Sequence, residues 1–434
     1  MLKSRNFFIF IFVIFCIVYL IRLQAILKTE INTKKNYLIR GKISSINQVS
    51  DNKWRLKVGS FWIQTQKLPY LHIGDDIEAV GSPEKQVINK FYHQFWLINP
   101  KIRQVTTDKT TDFTINAYYL SFLRLITDFR KTLEKIYLRI LPDTEASLLA
   151  GIVLGSQQQL SPHFYEALRQ SGTLHIVVAS GMNVTILGKV VLDLLIKRFK
   201  RGVAIFVSIF SILIYTFLAG AEAPIVRAAI MGSVAFSTQV FGRQYWAGWA
   251  LFLALGTMLL VSPELLFQIG FQLSALATTG LLFISPQVGE WLENIRNNPL
   301  IQGKSSFFPI KIILAFFQSD LTETIAAQIA VLPLLLVHFG QFNFFSAIPN
   351  MLVGILIPIL MRFGGVLLVV GMVSKTLAQA LAWLVWVPLK YMVLVIEFFG
   401  QIDWFTLEWV WPWWLAGVYW GGLWFFFRNP SKKH

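Results

Sequence analysis

From Thr173 to Phe427 the chain repeats one pattern, apolar stretches close to the ~20 residues that cross a bilayer, separated by short loops that carry the charges. Such stretches lie near 173–196, 203–221, 223–241, 246–262, 265–284, 321–339, 347–371, 377–399 and 411–427. An earlier one, Phe7 to Ile21, stands behind Lys3 and Arg5. Arg22 and Lys28 follow it without a small-residue cleavage site, so it reads as an uncleaved anchor rather than a signal peptide. The pattern predicts a polytopic α-helical membrane protein of about ten spans. Composition agrees: 14% of residues are charged, against roughly 25% in an ordinary soluble domain.

Orientation follows from the basic loops. Lys197, Arg198, Lys200 and Arg201 form the strongest basic cluster beside a span, and placing it in the cytoplasm carries Arg243, Lys375 and the tail Arg428, Lys432 and Lys433 inside. Both termini are then expected in the cytoplasm, and an even span count puts the region after the anchor outside. The net charge of +16 fits nucleic acid and cytoplasmic loops equally well.

That outer region has a different grammar. From Tyr37 to about Lys109, short alternating runs (Trp54, Leu56 and Val58 against Arg55 and Lys57, then Phe61, Ile63 and Thr65) are separated by Gly and Asp clusters. A small extracytoplasmic β-barrel, OB-like, is expected, with a generic β sandwich fitting the pattern nearly as well. Residues 28–109 hold 14 Lys and Arg against 7 Asp and Glu. Lys53, Trp54, Arg55, Lys57 and Trp62 suit single-strand binding, aromatic faces for bases and cations for phosphates. A core of aromatics with a solvated basic face suits the same residues. Between this region and the bundle, Asn116 to Leu141 mixes apolar residues with Arg124, Arg130, Lys131, Glu134, Lys135 and Arg139 and predicts an amphipathic helix on the membrane surface. The expected organisation is an anchor over 1–27, the OB-like domain over 28–112, the interfacial helix over 113–144, a transmembrane domain over 145–427 and a basic tail over 428–434.

Polar groups inside the apolar stretches carry the chemical signal. His175, Ser180, Gly181, Asn183 and Thr185 interrupt one span, and Ser180-Gly181 reads as a break between half-helices. The same residue types also join helices by hydrogen bonds, so pore lining and helix glue both stay open. Next, Ala219-Gly-Ala-Glu222-Ala-Pro224 predicts a tight turn with Pro in the first turn of the following helix. Arg227 lies one turn further on, where a charge costs about 2.5–3.5 kcal/mol on insertion scales. It reads as half of a Glu222–Arg227 pair or as a residue that attracts phosphate. Glu264, Gln268 and Gln272 come at four-residue steps, followed by Ser274, and predict one polar stripe on a helix. Gln328, Pro333, Asn343, Ser346, Pro349 and Asn350 mark further bends or buried amides.

Several classes of chemistry find no support. The lone Cys16 excludes an intrachain disulfide framework and a cysteine zinc site, and the six His are scattered. There is no Gly-x-Ser-x-Gly elbow with an orienting carboxylate, and no Gly-x4-Gly-Lys-Ser/Thr phosphate loop. No enzyme activity, metal or cofactor is expected.

Taken in order, four segments carry a family pattern: Leu148 to Gly155, Leu174-His-Ile-Val-Val-Ala-Ser-Gly-Met-Asn-Val184, Ala223-Pro-Ile-Val-Arg-Ala-Ala-Ile-Met231, and Gly270-Phe-Gln-Leu-Ser-Ala-Leu-Ala-Thr-Thr-Gly280. Together with Gln328-Ile-Ala-Val-Leu-Pro333 through Asn350, they resemble the competence domain of the ComEC family over roughly 145–400. The resemblance implies a channel in the bacterial cytoplasmic membrane that passes single-stranded DNA inward during natural transformation. It also implies an outer OB-like domain that receives the strand. On the family's motif positions fall His175, Ser180, Gly181, Pro224, Arg227, Gln272 and Ser274. Single-stranded DNA, the lipid bilayer, a separate cytoplasmic motor and a DNA receptor are the partners implied, and an oligomer stays open. A secondary transporter of a smaller anionic solute is the alternative reading of the same broken helices.

Two departures from the family pattern matter. Asn183 stands where the pattern carries His, which removes a titratable group. Many members continue into a metallo-β-lactamase-like domain, whereas this sequence stops at Lys432-Lys433-His434 and has no His-x-His-x-Asp-His cluster. Nuclease activity is therefore not expected of it.

Overall fold

A computed structural model describes residues 15–24 apart from 17, then 37–104, 115–296 and 308–428, with short gaps at 51–52, 59–60, 67, 69–70, 72, 74, 90–91, 157–159, 178–180, 241, 243, 344–345 and 402–405. Most of the expected anchor and the whole basic tail beyond Arg428 lie outside the described residues. The chain divides into two compact units, one of Met1–Lys135 with Gly256–Gln268 and one of Ile136–Leu255 with Ile269–His434.

The first unit contains a seven-stranded sheet: β1 (Tyr37–Ser50), β2 (Lys53–Val58), β3 (Phe61–Gln66), β4 (Asp76–Gly81), β5 (Pro83–Asn89), β6 (Tyr92–Ile98) and β7 (Lys101–Gln104), in the order β5-β6-β3-β2-β1-β4-β7. β1, β2 and β3 form an antiparallel meander, and β6 joins β3 in parallel. Only Ser82 separates β4, which pairs with β1, from β5, which pairs with β6, so the sheet curls back toward its own beginning. Period-two alternation turns Ile43, Leu56, Val58, Ile63, Ile77 and Leu97 into a common core. In the same unit, Arg124 on α1 (Ile115–Ile140) donates to the Ile73 carbonyl at 2.7 Å and pairs with Asp75 at 2.6 Å. Arg22 donates to the carbonyl of Leu260, at a helix C-terminus where a cation is favoured.

The second unit is helical. α2 (Asp143–Leu154), α3 (Pro162–Gln170) and α4 (Leu174–Val177) lead into α5 (Gly181–Leu195), α6 (Arg201–Leu218), α7 (Ala223–Val240), α8 (Ala247–Val261), α9 (Ile269–Phe283) and α10 (Ser285–Arg296). Then come α11 (Phe308–His338), α12 (Ala347–Gly354), α13 (Ile357–Val373), α14 (Lys375–Gly400) and α15 (Trp413–Arg428). A two-stranded ribbon of β8 (Gln341–Asn343) and β9 (Thr406–Glu408) ties two loops together. Ser161 caps α3 by accepting from the Phe164 amide, and Gly155, at φ 70°, ends α2.

The helices do not confirm the expected count of about ten spans. Among the described residues, four are long and apolar enough to cross a bilayer: Leu174–Leu195, Arg201–Leu218, Leu321–His338 and Lys375–Gly400. Two bent pairs raise the number to six: Ile269–Phe283 with Ser285–Asn294, bent by 48°, and Ala347–Gly354 with Ile357–Val373, bent by 43°. Hydropathy alone joins segments that the backbone breaks, and Ala247–Val261 falls short of a full span. Phe206, Val369, Val373 and Leu384 stay exposed on the helices, as surfaces that face lipid do.

Candidate functional site

The tight turn expected before α7 is present: Gly220 and Ala221 both have positive φ, 90° and 50°, and Pro224 sits in the first helical turn. This turn sets Arg227 one turn into α7, beside the start of α5. A Cβ placed on Gly181 would lie 3.0 Å from Ala228 Cβ and 3.6 Å from Arg227 Nη2. The absence of a side chain at Gly181 is what lets α7 approach. Arg227 Nη1 then donates to both the carbonyl and the hydroxyl of Ser274 on α9. Three segments far apart in sequence thus meet at one guanidinium, whose buried Nε has no partner among the described residues. Its acceptors are neutral oxygens, so the positive charge stays uncancelled by them. Ser274 O also accepts from Thr278 Oγ1 at 3.0 Å.

Asn183 belongs to the packing between helices. It is fully buried, and its Nδ2 donates to the Ile152 carbonyl of α2 at 2.9 Å. That carbonyl lies in the last turn of its helix, where no intrahelical amide is available to it. Below Asn183, Val184, Ile212, Tyr215, Ile225, Ala229 and Phe236 form the core between α5, α6 and α7.

The polar stripe expected from Glu264, Gln268 and Gln272 does not form. Pro263–Phe267 is a short 3-10 helix, Gln268 is extended at φ −83° and ψ 125°, and α9 begins only at Ile269. Four-residue spacing predicts a shared face only along a continuous helix, and this one is interrupted. Gln272 remains beside Ser274 on α9, with its Oε1 buried. Glu222 stands exposed ahead of α7, and Ser180 lies outside the described residues.

A second polar group forms around α12. Gln328 Nε2 donates to Ser346 Oγ at 2.9 Å, Ser346 Oγ donates to the Asn343 carbonyl at 2.8 Å, and Asn343 Nδ2 donates to the Gln170 carbonyl at 3.0 Å. Asn350, one turn after Ser346, is buried with no partner for Oδ1 among the described residues. His175 is exposed, its Nδ1 lying 3.1 Å from the Gly172 carbonyl. Just before it, Arg169 grips Glu166 through two nitrogens and holds that carboxyl below its usual range.

On the sheet, the strand parity divides the five candidates. Trp54 shares the inner side of β2 with Leu56 and Val58 and packs on the core, so it is not available as a stacking surface. Lys53, Arg55 and Lys57 take the outer side, and Trp62 opposes Lys57 on β3. Trp96 on β6, which the sequence reading did not single out, lies beside Trp62 through the parallel pairing. The two indoles stack at 5.8 Å and 18°, with Arg55 Cζ 4.5 Å from the Trp96 centroid and Lys57 Nζ 5.6 Å from that of Trp62. Partial burial strips water from Arg55 and lowers its pKa from the ordinary guanidinium value.

Known proteins supply the context for the helical region. The sequence profile of the family described as Competence protein matches residues 152–431. ComE operon protein 3 of Bacillus subtilis (strain 168) is 25% identical over 233 residues, which are 54% of this chain and 27% of that protein. The chain therefore aligns with about a quarter of that relative's length. No solved structure matches. The profile covers the residues that bring Asn183, Arg227, Ser274 and Ser346 into their polar contacts, and with the apolar helices it makes the protein membrane-embedded. With well over half of its length under that profile, the chain belongs to the competence protein family.

Proposed function

We propose that the protein passes single-stranded DNA across the bacterial cytoplasmic membrane during natural transformation. In this reading the helical domain is the channel, both termini face the cytoplasm, and the curled sheet is an OB-like outer domain that receives the strand. The observation that carries it is Arg227, a cation retained among apolar helices at a cost of about 2.5–3.5 kcal/mol on insertion scales and held by neutral oxygens of Ser274. Such a group is suited to a phosphate that moves past it, because its charge is not already matched by its partner. The basic, aromatic face of β2, β3 and β6 suits capture of the same polymer.

The reading assigns no catalytic step to the chain. A separate cytoplasmic motor pulls the strand, and a separate receptor delivers it. Deleting the gene in a transformable host and measuring transformation by linear DNA tests the proposal: loss of transformants is expected, and undiminished uptake overturns it.

The bent helix pairs support a second reading, a secondary transporter of a smaller anionic solute bound near Arg227. Salt-sensitive binding of oligothymidylate by the full-length protein separates the two, since a solute carrier has no use for it.

A further inference from the structure

Four adjacent strands align one row of outer-face residues: Lys57 on β2 opposes Trp62 on β3, Trp62 opposes Trp96 on β6, and Trp96 opposes Glu84 on β5. The row begins with a cation, ends with an exposed carboxylate and has two stacked indoles between them. The indoles are not equivalent. Trp96 is 6% exposed, with the Arg55 guanidinium over its ring, so it has no face to offer a base. Trp62 keeps partial exposure, with Trp96 stacked beside it and the Lys57 ammonium at a longer 5.6 Å from its centroid. Arg55 reaches Trp96 from the next row, and its Nε has no hydrogen-bond partner among the described residues.

We infer that the face divides strand binding in two: Trp96 is a positioning residue that holds the Arg55 guanidinium flat and ready for a phosphate, while Trp62 is the platform on which a base stacks. The inference rests on the reading of this sheet as a single-strand receiver, and it names the residues of that site and their separate tasks. A guanidinium stacked on an indole has lost its rotamer freedom before the phosphate arrives, so less entropy remains to be lost on binding. Lys57, a flexible point charge, yields the Trp62 ring to a base and follows the backbone. Glu84 repels phosphate and confines the strand to the Arg55 and Lys57 side of the row.

The test measures binding of labelled oligothymidylate to the full-length protein in nanodiscs of zwitterionic lipid, across a range of salt. Each phosphate contact on a single strand contributes about 0.7 to the slope of log affinity against log salt. Arg55→Ala is expected to lower the slope by about that amount, and Trp96→Ala to lower it equally although it removes no charge. Trp96→Phe restores the slope by restoring an aromatic support. Trp62→Ala weakens binding roughly five- to a hundred-fold with the slope unchanged. Glu84→Gln tightens binding.

If Trp96→Ala fails to fold, Arg55→Lys decides: a weaker complex with the slope kept supports a stacked guanidinium, and unchanged affinity overturns it. A slope untouched by Trp96→Ala, or reduced by Trp62→Ala, overturns the division of tasks while leaving strand capture intact. Absence of salt-dependent binding by the unaltered protein overturns strand capture itself and the division with it.

Discussion

Asn183 closes the end of a helix on which it does not lie: its side-chain amide donates to the Ile152 carbonyl at 2.9 Å, in the last turn of α2. The expected effect of Asn183→Leu is a loss of about 1–2 kcal/mol, since it strands a buried carbonyl in an apolar setting. Asn183→His keeps an N–H donor and loses less than half of that. Thermal unfolding of the purified protein in detergent checks both, and a leucine variant that melts with the unaltered protein rules out the cap.

Arg227→Met preserves much of the side-chain volume and removes the charge. Transformation frequency is expected to fall at least ten-fold while the amount of protein in the membrane stays the same, the effect of losing one charge-assisted contact at each passing phosphate. Ser274→Ala leaves the Ser274 carbonyl as an acceptor and lowers transformation less. Equal frequencies for Arg227→Met and the unaltered protein remove Arg227 from the path.

Much of this site was readable in order but not in space. The turn at Gly220 and Ala221 and the charge at Arg227 follow from residue types with strong backbone or burial preferences, while the break expected at Ser180-Gly181 falls on residues outside those described. Their convergence on Ser274 depends on which helices pack together, which no local spacing encodes. The Glu264–Gln268–Gln272 stripe failed because a regular interval was read as a continuous helix, whereas Pro263 starts a 3-10 turn and Gln268 leaves it. Composition leaves Trp54 open between a stacking surface and the core, and its parity with Leu56 and Val58 assigns it to the core side. Trp96 could not be found at all without the parallel pairing of β3 and β6, strands some thirty residues apart in sequence.

Glycines at two positions of α9 give opposite expectations. A Cβ on Gly280 would stand 2.7 Å from the Ala326 carbonyl oxygen and 2.6 Å from Ala330 Cβ. Gly280→Ala must push α9 from α11 and costs about 1–3 kcal/mol. Gly270 has open space within 4 Å, and Gly270→Ala is neutral to slightly stabilising. Comparing the two melting temperatures checks the packing directly.

Lys390 Nζ lies 3.5 Å from Oε1 of the buried Glu145. Because Lys390 keeps nearly half its exposure, the pair itself is weak, but removing the lysine leaves the carboxylate without this cation. Lys390→Met is expected to cost about 1–3 kcal/mol, and Glu145→Gln in the same chain to recover most of it. A double variant no more stable than Lys390→Met alone rules out the coupling.

The ribbon of β8 and β9 bears on how such proteins can be recombined. Gln341, Phe342 and Asn343 are paired with Glu408, Leu407 and Thr406, so two loops separated by more than sixty residues share one set of backbone hydrogen bonds. Asn343 extends that bond set to the end of α3 through Gln170. A chimera that takes one loop from a relative and keeps the other splits a cooperative block. Crossovers placed before Gln341 and after Glu408 keep the ribbon whole, which makes these loops a single unit of inheritance.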